Sequence, residues 1–319
     1  MPPNPLSVVL QSWATVLGTH PCVGPEQAGR ALWPVVADGG AEYFLKRLGP
    51  WRNLPVADEA RVLRRLAAEG IEVAEFMITD HARLFAGEIQ DSYVLMPRIP
   101  ADVFQPSEVL DLEETVGGAI GRLHRALAGY PWPANSYRER WSEALSGELP
   151  LPPDVRDGFS VRRPVLTEAI TDLPVQLVHG DLTPANVLLR RPGQVAAFID
   201  FDHLPTAPRI WDVARYLSRR MRLRWRRARP VADRLQHIGP LLRGYHRSNP
   251  LSADDIAALP ALITIGNVAE AGYNQAVASG RLHRRMLPDH KDQLADTIET
   301  ARWNLANYGE VERVVRAAL

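Results

Sequence analysis

Leu177-Val178-His179-Gly180-Asp181-Leu182-Thr183-Pro184-Ala185-Asn186-Val187-Leu188-Leu189 reads as a strand end, a polar loop and the start of a second buried strand. Asp181 stands five residues before Asn186, a spacing at which one loop presents the carboxylate while the amide oxygen turns to a metal. After a turn at Pro192-Gly193 comes Ala197-Phe198-Ile199-Asp200-Phe201-Asp202. Strand alternation predicts Phe198, Asp200 and Asp202 on one face, with Ile199 and Phe201 on the other. Two carboxylates so close at a strand end are costly to bury unpaired, and a divalent cation resolves that cost. The bland alternative is a His-Gly-Asp turn with an unrelated Asn. Five fixed residues at fixed offsets recur by chance in roughly one such chain in 10⁴.

These residues resemble the aminoglycoside phosphotransferase and choline kinase family, a branch of the protein-kinase-like fold. Its catalytic loop is His-Gly-Asp, four intervening residues and Asn, and its metal strand ends in Ile-Asp. The family's Asp-x-Ala on the next helix is matched by Asp212-Val213-Ala214. The resemblance implies an α+β, bilobal protein-kinase-like fold, with a small strand-rich N-terminal lobe and a larger, mostly helical C-terminal lobe. It further implies that Asp181 is the catalytic base, that Asn186 and Asp200 bind Mg2+, and that Asp212 supports the loop shaped by His179 and Gly180. Asp202 is a supporting carboxylate. The implied activity is transfer of the γ-phosphoryl group of ATP, with GTP as the alternative nucleotide, to a hydroxyl of a small metabolite or antibiotic. An aminoglycoside or an amino alcohol is such an acceptor. Phosphoryl transfer asks the protein mainly for positioning and charge neutralisation, which suits this set.

The first hundred residues read as strand-rich. Leu32–Val36 and Glu42–Lys46 are two strands joined by Asp38-Gly39-Gly40, and Pro34 suggests an edge position for the first. Before them, Leu6, Val9, Leu10, Trp13 and Leu17 have helical spacing. A helix capped by Asp58 and stopped by Gly70 follows, then a strand over Ser92–Met96. Lys46 ends its strand where the family places the lysine that meets the α- and β-phosphates. Glu59 lies on the apolar stripe of the helix with Val62, Leu63 and Leu66, so it wants a cation, and Lys46 is the expected one. The adenine-reading hinge is expected at Leu95-Met96-Pro97-Arg98-Ile99. Met96 lines the pocket, Pro97 supplies a carbonyl and Ile99 an N–H, so proline's missing donor costs nothing. Two family features are absent. Gly24-Pro25-Glu26-Gln27-Ala28-Gly29 occupies the place of the phosphate-covering loop without its glycine pattern, and no glycine follows the hinge.

The expected division is residues 1–98 as the nucleotide-binding lobe and 99–319 as the helical lobe with catalytic loop and acceptor site. In the latter, helices are predicted around Val116–Leu127, Trp211–Met221, 252–279 and 290–317, with Leu123-His124 as packing residues. Tyr130–Arg163 reads as an irregular excursion. For an amine-bearing acceptor, Glu270, Tyr273, Asp289 and Trp303 are available, though each also reads as an ordinary helix residue.

Composition narrows the rest. Of 319 residues, 46% are apolar, enough for a substantial core. Lys+Arg and Asp+Glu both number 37, so no global field gathers nucleic acid or an anionic membrane. The basic run Arg219, Arg220, Arg222, Arg224, Arg226, Arg227 and Arg229 reads as a solvated helix face and loop, with a local anion or partner patch as the alternative. One cysteine, Cys22, excludes an intrachain disulfide and a multi-thiolate metal site. No leader pattern and no long apolar run are evident, so a cytoplasmic setting without membrane partner is expected; oligomeric state is not legible. No Walker motif, G-x-S-x-G elbow or H-E-x-x-H pair occurs. The competing class is a catalytically weak nucleotide-binding pseudokinase or scaffold that keeps the fold.

Overall fold

The computed structural model describes residues 5–27, 30–49, 52, 54–88, 91–104, 106–131, 140–222, 234–282 and 290–319. The chain divides into two compact units, Met1–Ala101 with Ala196–His203, and Asp102–Val195 with Leu204–Leu319. The division at Ala101 lies three residues beyond the expected one at Arg98, and the first unit is discontinuous. The return segment belongs there because Phe198 N–H donates to the Glu72 carbonyl and Phe198 bridges Val73 in parallel.

The first unit begins with α1 (Pro5–Leu10), a 3-10 turn (Gln11–Trp13) and α2 (Ala14–Leu17), where the spacing predicted one helix. Trp13 is fully buried, and its indole donates to the Met77 carbonyl at 2.9 Å. A four-stranded antiparallel sheet follows in the order β1 (Cys22–Val23), β2 (Leu32–Val36), β3 (Glu42–Arg47), β4 (Tyr93–Pro97). β2 is therefore not the edge strand that Pro34 suggested. Pro34 is tolerated because its nitrogen faces the same side as its carbonyl, which accepts from Gly24 N–H just beyond the end of β1, so the missing donor costs the β2–β3 ladder nothing. α3 (Val56–Ala68) starts after Pro55, not at Asp58, which lies in its first turn. Gly70 beyond its end has φ +75°, as a helix stop requires. Val62, Leu63 and Leu66 are buried as the apolar stripe demands, and Glu59 is buried with them.

The second unit is mostly helical. It contains α4 (Pro106–Ala128), α5 (Arg140–Ser146), α6 (Pro153–Glu168), α7 (Ile210–Arg220), α8 (Ile238–Ser248), α9 (Ala253–Ala278), α10 (His290–Ala306) and α11 (Tyr308–Arg316). The expected irregular excursion is wrong for its described part, which forms α5 and α6; Pro153 at the α6 N-terminus is compatible with helix, and Pro164 is accommodated inside it. Between α6 and α7 run β5 (Val175–Leu177), a 3-10 turn (Pro184–Asn186), β6 (Val187–Arg190), β7 (Gln194–Phe198) and β8 (Thr206–Pro208). β5 pairs antiparallel with β8, which pins both ends of the loop region.

α4 and α8 approach at backbone distance. A Cβ on Gly117 would sit 2.0 Å from the Leu241 carbonyl oxygen, and one on Gly244 would sit 1.9 Å from that of Glu114. That closeness lets His124 on α4 reach Tyr245 on α8. α9 is capped by a Ser252–Asp255 capping box. It is long and apolar enough to cross a membrane, against the expectation that no segment is, but 78% of that window is buried inside the protein. A core helix passes the same test.

Candidate active site

In the first unit, the Lys46 ammonium leaves β3 to lie 2.6 Å from Asp200 Oδ1 and 2.9 Å from Asp202 Oδ2. The expected Lys46–Glu59 pair does not form. Glu59 pairs instead with Arg52, whose guanidinium also holds Asp202 at 2.9 Å. The planar guanidinium fork spans Glu59 and Asp202 at once, and the ammonium takes Asp200 and shares Asp202 with it. Arg52, just upstream of the helix, is the residue that sequence reasoning missed. Its only signal was the demand of a buried Glu59 for a cation, which Lys46 meets equally well along the sequence.

The charges of this cluster hold one another. Burial pulls the Lys46 pKa down, but Asp200 and Asp202 outweigh it and leave it above its ordinary value. Burial likewise pushes Asp202 up, and Lys46 and Arg52 outweigh that and hold it low. Burial dominates at Arg52 and lowers its pKa. Asp202, depressed in the folded state, therefore contributes stability above about pH 4 that is lost as pH falls. Lys46, raised, contributes stability below about pH 10 that is lost as pH rises further.

Asp200 differs from Asp202 in exposure: its side chain is 44% accessible against 6%. The strand alternation predicted through Asp202 stops with β7 at Phe198. Asp200 has φ +69°, a left-handed conformation unusual for a residue with a Cβ. Both carboxylates still meet Lys46, through this turn and not through the pleat. Strained backbone of this kind concentrates at functional sites. Lys46, Glu59, Leu63, Phe76, Met96 and Asp200 line one recess. At the end of β4, Arg98 N–H donates to the Glu42 carbonyl at 3.0 Å, so by strand parity the Pro97 carbonyl faces away from β3.

The Arg52–Glu59 pair gives a direct test of the new partner assignment. Both side chains are at most 7% accessible. Arg52→Met should cost about 3–5 kcal/mol by leaving Glu59 buried without its cation. Adding Glu59→Leu should restore most of that, because no orphan charge remains. Urea unfolding of the single and double variants is the measurement; equal costs for both would show that Glu59 has another counter-charge.

In the second unit, Asp212 clamps the loop that starts at His179. Its Oδ2 accepts the His179 N–H at 2.8 Å and its Oδ1 the Gly180 N–H at 2.9 Å. Gly180 has φ +82°, which is why a residue without Cβ stands there. Behind Asp212, buried His124 lies with Nε2 3.0 Å from the carboxylate and Nδ1 2.9 Å from the Tyr245 hydroxyl. The carboxylate can only accept, so this network places the imidazole hydrogen on Nε2 and makes Tyr245 the donor to Nδ1. His124, expected only to pack, thus orients the clamp. His179 is itself fully buried.

Asn186 Nδ2 donates to the Asp181 carbonyl at 2.9 Å, so the amide presents Oδ1 as its remaining acceptor. The Asp181 carboxylate lies 2.5 Å from Arg215 Nη2, and Arg215 Nη1 lies 3.0 Å from Glu270. Burial pulls Arg215 down, yet Asp181 and Glu270 outweigh it and raise its pKa, so it stays charged. Arg219 and Arg222 also reach Glu270, each at 3.0 Å. This corrects two expectations. Glu270 is saturated by guanidiniums and is not an open carboxylate for an amine. Arg219 and Arg222 are not a solvated face, nor is Arg220, which meets Glu113 at 2.9 Å. The signal lay in the spacing: Arg215, Arg219 and Arg222 recur at i, i+4 and i+7. Trp303 is covered by the Arg234 guanidinium, 4.9 Å from its ring centre. Ala28, Gly29, Arg224, Arg226, Arg227, Arg229 and Asp289 lie outside the described residues.

Residues 31–251 match the family model described as "Phosphotransferase enzyme family". A homoserine kinase of Paramagnetospirillum magneticum is 30% identical over 165 residues, 46% of this chain and 47% of that protein. The chain thus matches about half the length of this curated relative. Among solved structures, a microcompartment-associated aminopropanol kinase is similar with TM-score 0.68 and 17% identity, over 96% of both chains. Amicoumacin kinase hAmiN, in complex with AMP-PNP, Ca2+ and Ami, gives TM-score 0.67 and 19% identity over 88% of this chain and 87% of that one. These likenesses show the bilobal α+β protein-kinase-like fold. The family match spans more than two thirds of the sequence and includes Lys46, Asp181, Asn186, Asp200 and Asp212: the chain belongs to the phosphotransferase enzyme family.

Proposed function

We propose that this protein is an ATP-dependent phosphotransferase acting on a hydroxyl of a small acceptor. The observation that carries the reading is the ion pair of Lys46 with Asp200, an accessible carboxylate on a left-handed turn. A lysine at a strand end beside a carboxylate suits a nucleotide's phosphates and the cation that travels with them. The donor set fits magnesium: Asp200 and the Asn186 Oδ1 are hard oxygen ligands, and magnesium takes one or two of these alongside phosphate and water. When bound, the ion neutralises charge developing on the phosphates.

The residues have separate roles in this reading. Lys46 holds the α- and β-phosphates, and Glu59 keeps the recess charged correctly through Arg52. Met96 backs the adenine, which the Pro97 carbonyl and Ile99 N–H read. Asn186 and Asp200 hold the metal, with Asp202 as a buried strut between Lys46 and Arg52. Asp181 orients and deprotonates the acceptor hydroxyl, and Asp212 with His179 and His124 fixes the loop that carries it. ADP release is to be measured with ATP or GTP, with and without magnesium, over L-homoserine, aminopropanol and an aminoglycoside together with other hydroxylated amines, amino acids and sugars. Magnesium-dependent, acceptor-stimulated turnover with ATP preferred is the expected result. Nucleotide binding without stimulation by any acceptor would replace this reading with that of a pseudokinase.

A further inference from the structure

Resting on the phosphotransferase reading, we infer that the acceptor carries an anionic group, a carboxylate, recognised by Arg215, Arg219 and Arg222 beside Asp181. Three guanidiniums converge on the single carboxylate of Glu270. Counting Asp181, which Arg215 also contacts, three positive groups pair with two negative ones among the described residues, a net charge of +1. A helix-packing network needs no such excess, since each uncompensated buried cation costs desolvation energy.

A second observation points the same way. Arg215 Nε, Arg219 Nε and Asn267 Nδ2 are buried donors with no hydrogen-bond partner among the described residues. Arg215 and Arg219 both pair with Glu270, so their two donors lie beside the same carboxylate, and Asn267 stands one helical turn before Glu270 on α9. Buried polar groups in native proteins are nearly always satisfied, and the Arg215 and Arg219 donors beside one carboxylate mark where acceptor atoms belong. A carboxylate supplies up to four such lone pairs and takes a guanidinium with short charge-assisted bonds. A polycation meets the opposite situation, repelled by the excess charge and refused by Glu270, whose oxygens are already taken.

The test compares matched acceptors on the full chain. L-Homoserine is set against 3-amino-1-propanol, which lacks only the carboxylate; 4-hydroxybutyrate, which lacks only the amine, and the polycation kanamycin complete the set. Magnesium-ATP binding is measured alongside by calorimetry. Turnover with a kcat/KM at least about tenfold higher for the carboxylate-bearing acceptors is expected, the worth of one charge-assisted hydrogen bond. Arg219→Gln and Arg222→Gln should each raise KM for those acceptors about 10- to 100-fold. Neither should alter the Kd for magnesium-ATP, which also reports that the variants fold. Equal or better use of aminopropanol or kanamycin would overturn the inference and leave the phosphotransferase reading standing. So would turnover of aminopropanol or kanamycin with none of either carboxylate. Failure to bind magnesium-ATP at all would instead remove the reading on which the inference rests.

Discussion

Replacing Asp181 by alanine should lower kcat by about 10²–10⁴-fold, the contribution of a positioned general base, while the Kd for magnesium-ATP stays near wild type. The separation follows from what each group touches. Asp181 contacts Arg215 through its carboxylate, and its backbone carbonyl accepts from Asn186, the proposed metal ligand. An alanine therefore keeps the Asn186 hydrogen bond and the loop clamp at Asp212, both of which use backbone groups of the loop. Arg215 is not orphaned in the variant, because Glu270 remains 3.0 Å from it. Fold and nucleotide site are thus expected to survive, and the loss should appear in the chemical step. Asp181→Asn should be nearly as impaired, since it restores shape and not charge. Phosphoryl transfer to the best acceptor from the turnover screen is the measurement. A mutant with wild-type kcat would remove Asp181 from the mechanism. A wild type without acceptor-dependent turnover, matched by a silent mutant, would favour the pseudokinase reading.

Replacing Asp200 by asparagine should abolish the magnesium-dependent part of nucleotide binding. Asparagine tolerates the left-handed backbone at φ +69°, so the substitution removes a charge without adding strain. Lys46 keeps Asp202 at 2.9 Å, so the lysine stays anchored and the effect isolates the carboxylate. Asp202→Asn should show the opposite profile. Its carboxylate is 6% accessible and bridges Lys46 and Arg52, so its loss should lower stability more than magnesium-ATP affinity. Calorimetry with and without magnesium, together with urea unfolding, separates the two. Equal magnesium-ATP affinity in wild type and Asp200→Asn would end the assignment of Asp200 as the metal ligand.

The residues that local rules govern were readable along the chain. The β2–β3 hairpin was legible because Asp38-Gly39-Gly40 supplies the turn and the flanking residues favour strand. The buried face of α3 was legible because its apolar residues keep the helical period. The loop from His179 to Asn186 was legible because its residues act within one short stretch, where Gly180 supplies the backbone conformation that the turn requires. The partners of the charges were not. Lys46 meets a carboxylate 154 residues away, His124 one 88 residues away, and Arg215 is fixed by Glu270, 55 residues away. Pairing Lys46 with Glu59 satisfied the one demand that sequence exposes, that a buried carboxylate needs a cation. It could not show that Arg52 would arrive as a second cation, or that the chain would return after β7 with two more carboxylates. Periodicity and turn chemistry are properties of neighbours along the chain, and these the sequence by itself determined. Which buried charge neutralises which is a property of neighbours in space, set only once packing has excluded water and every charge must find its partner from what the fold brings near.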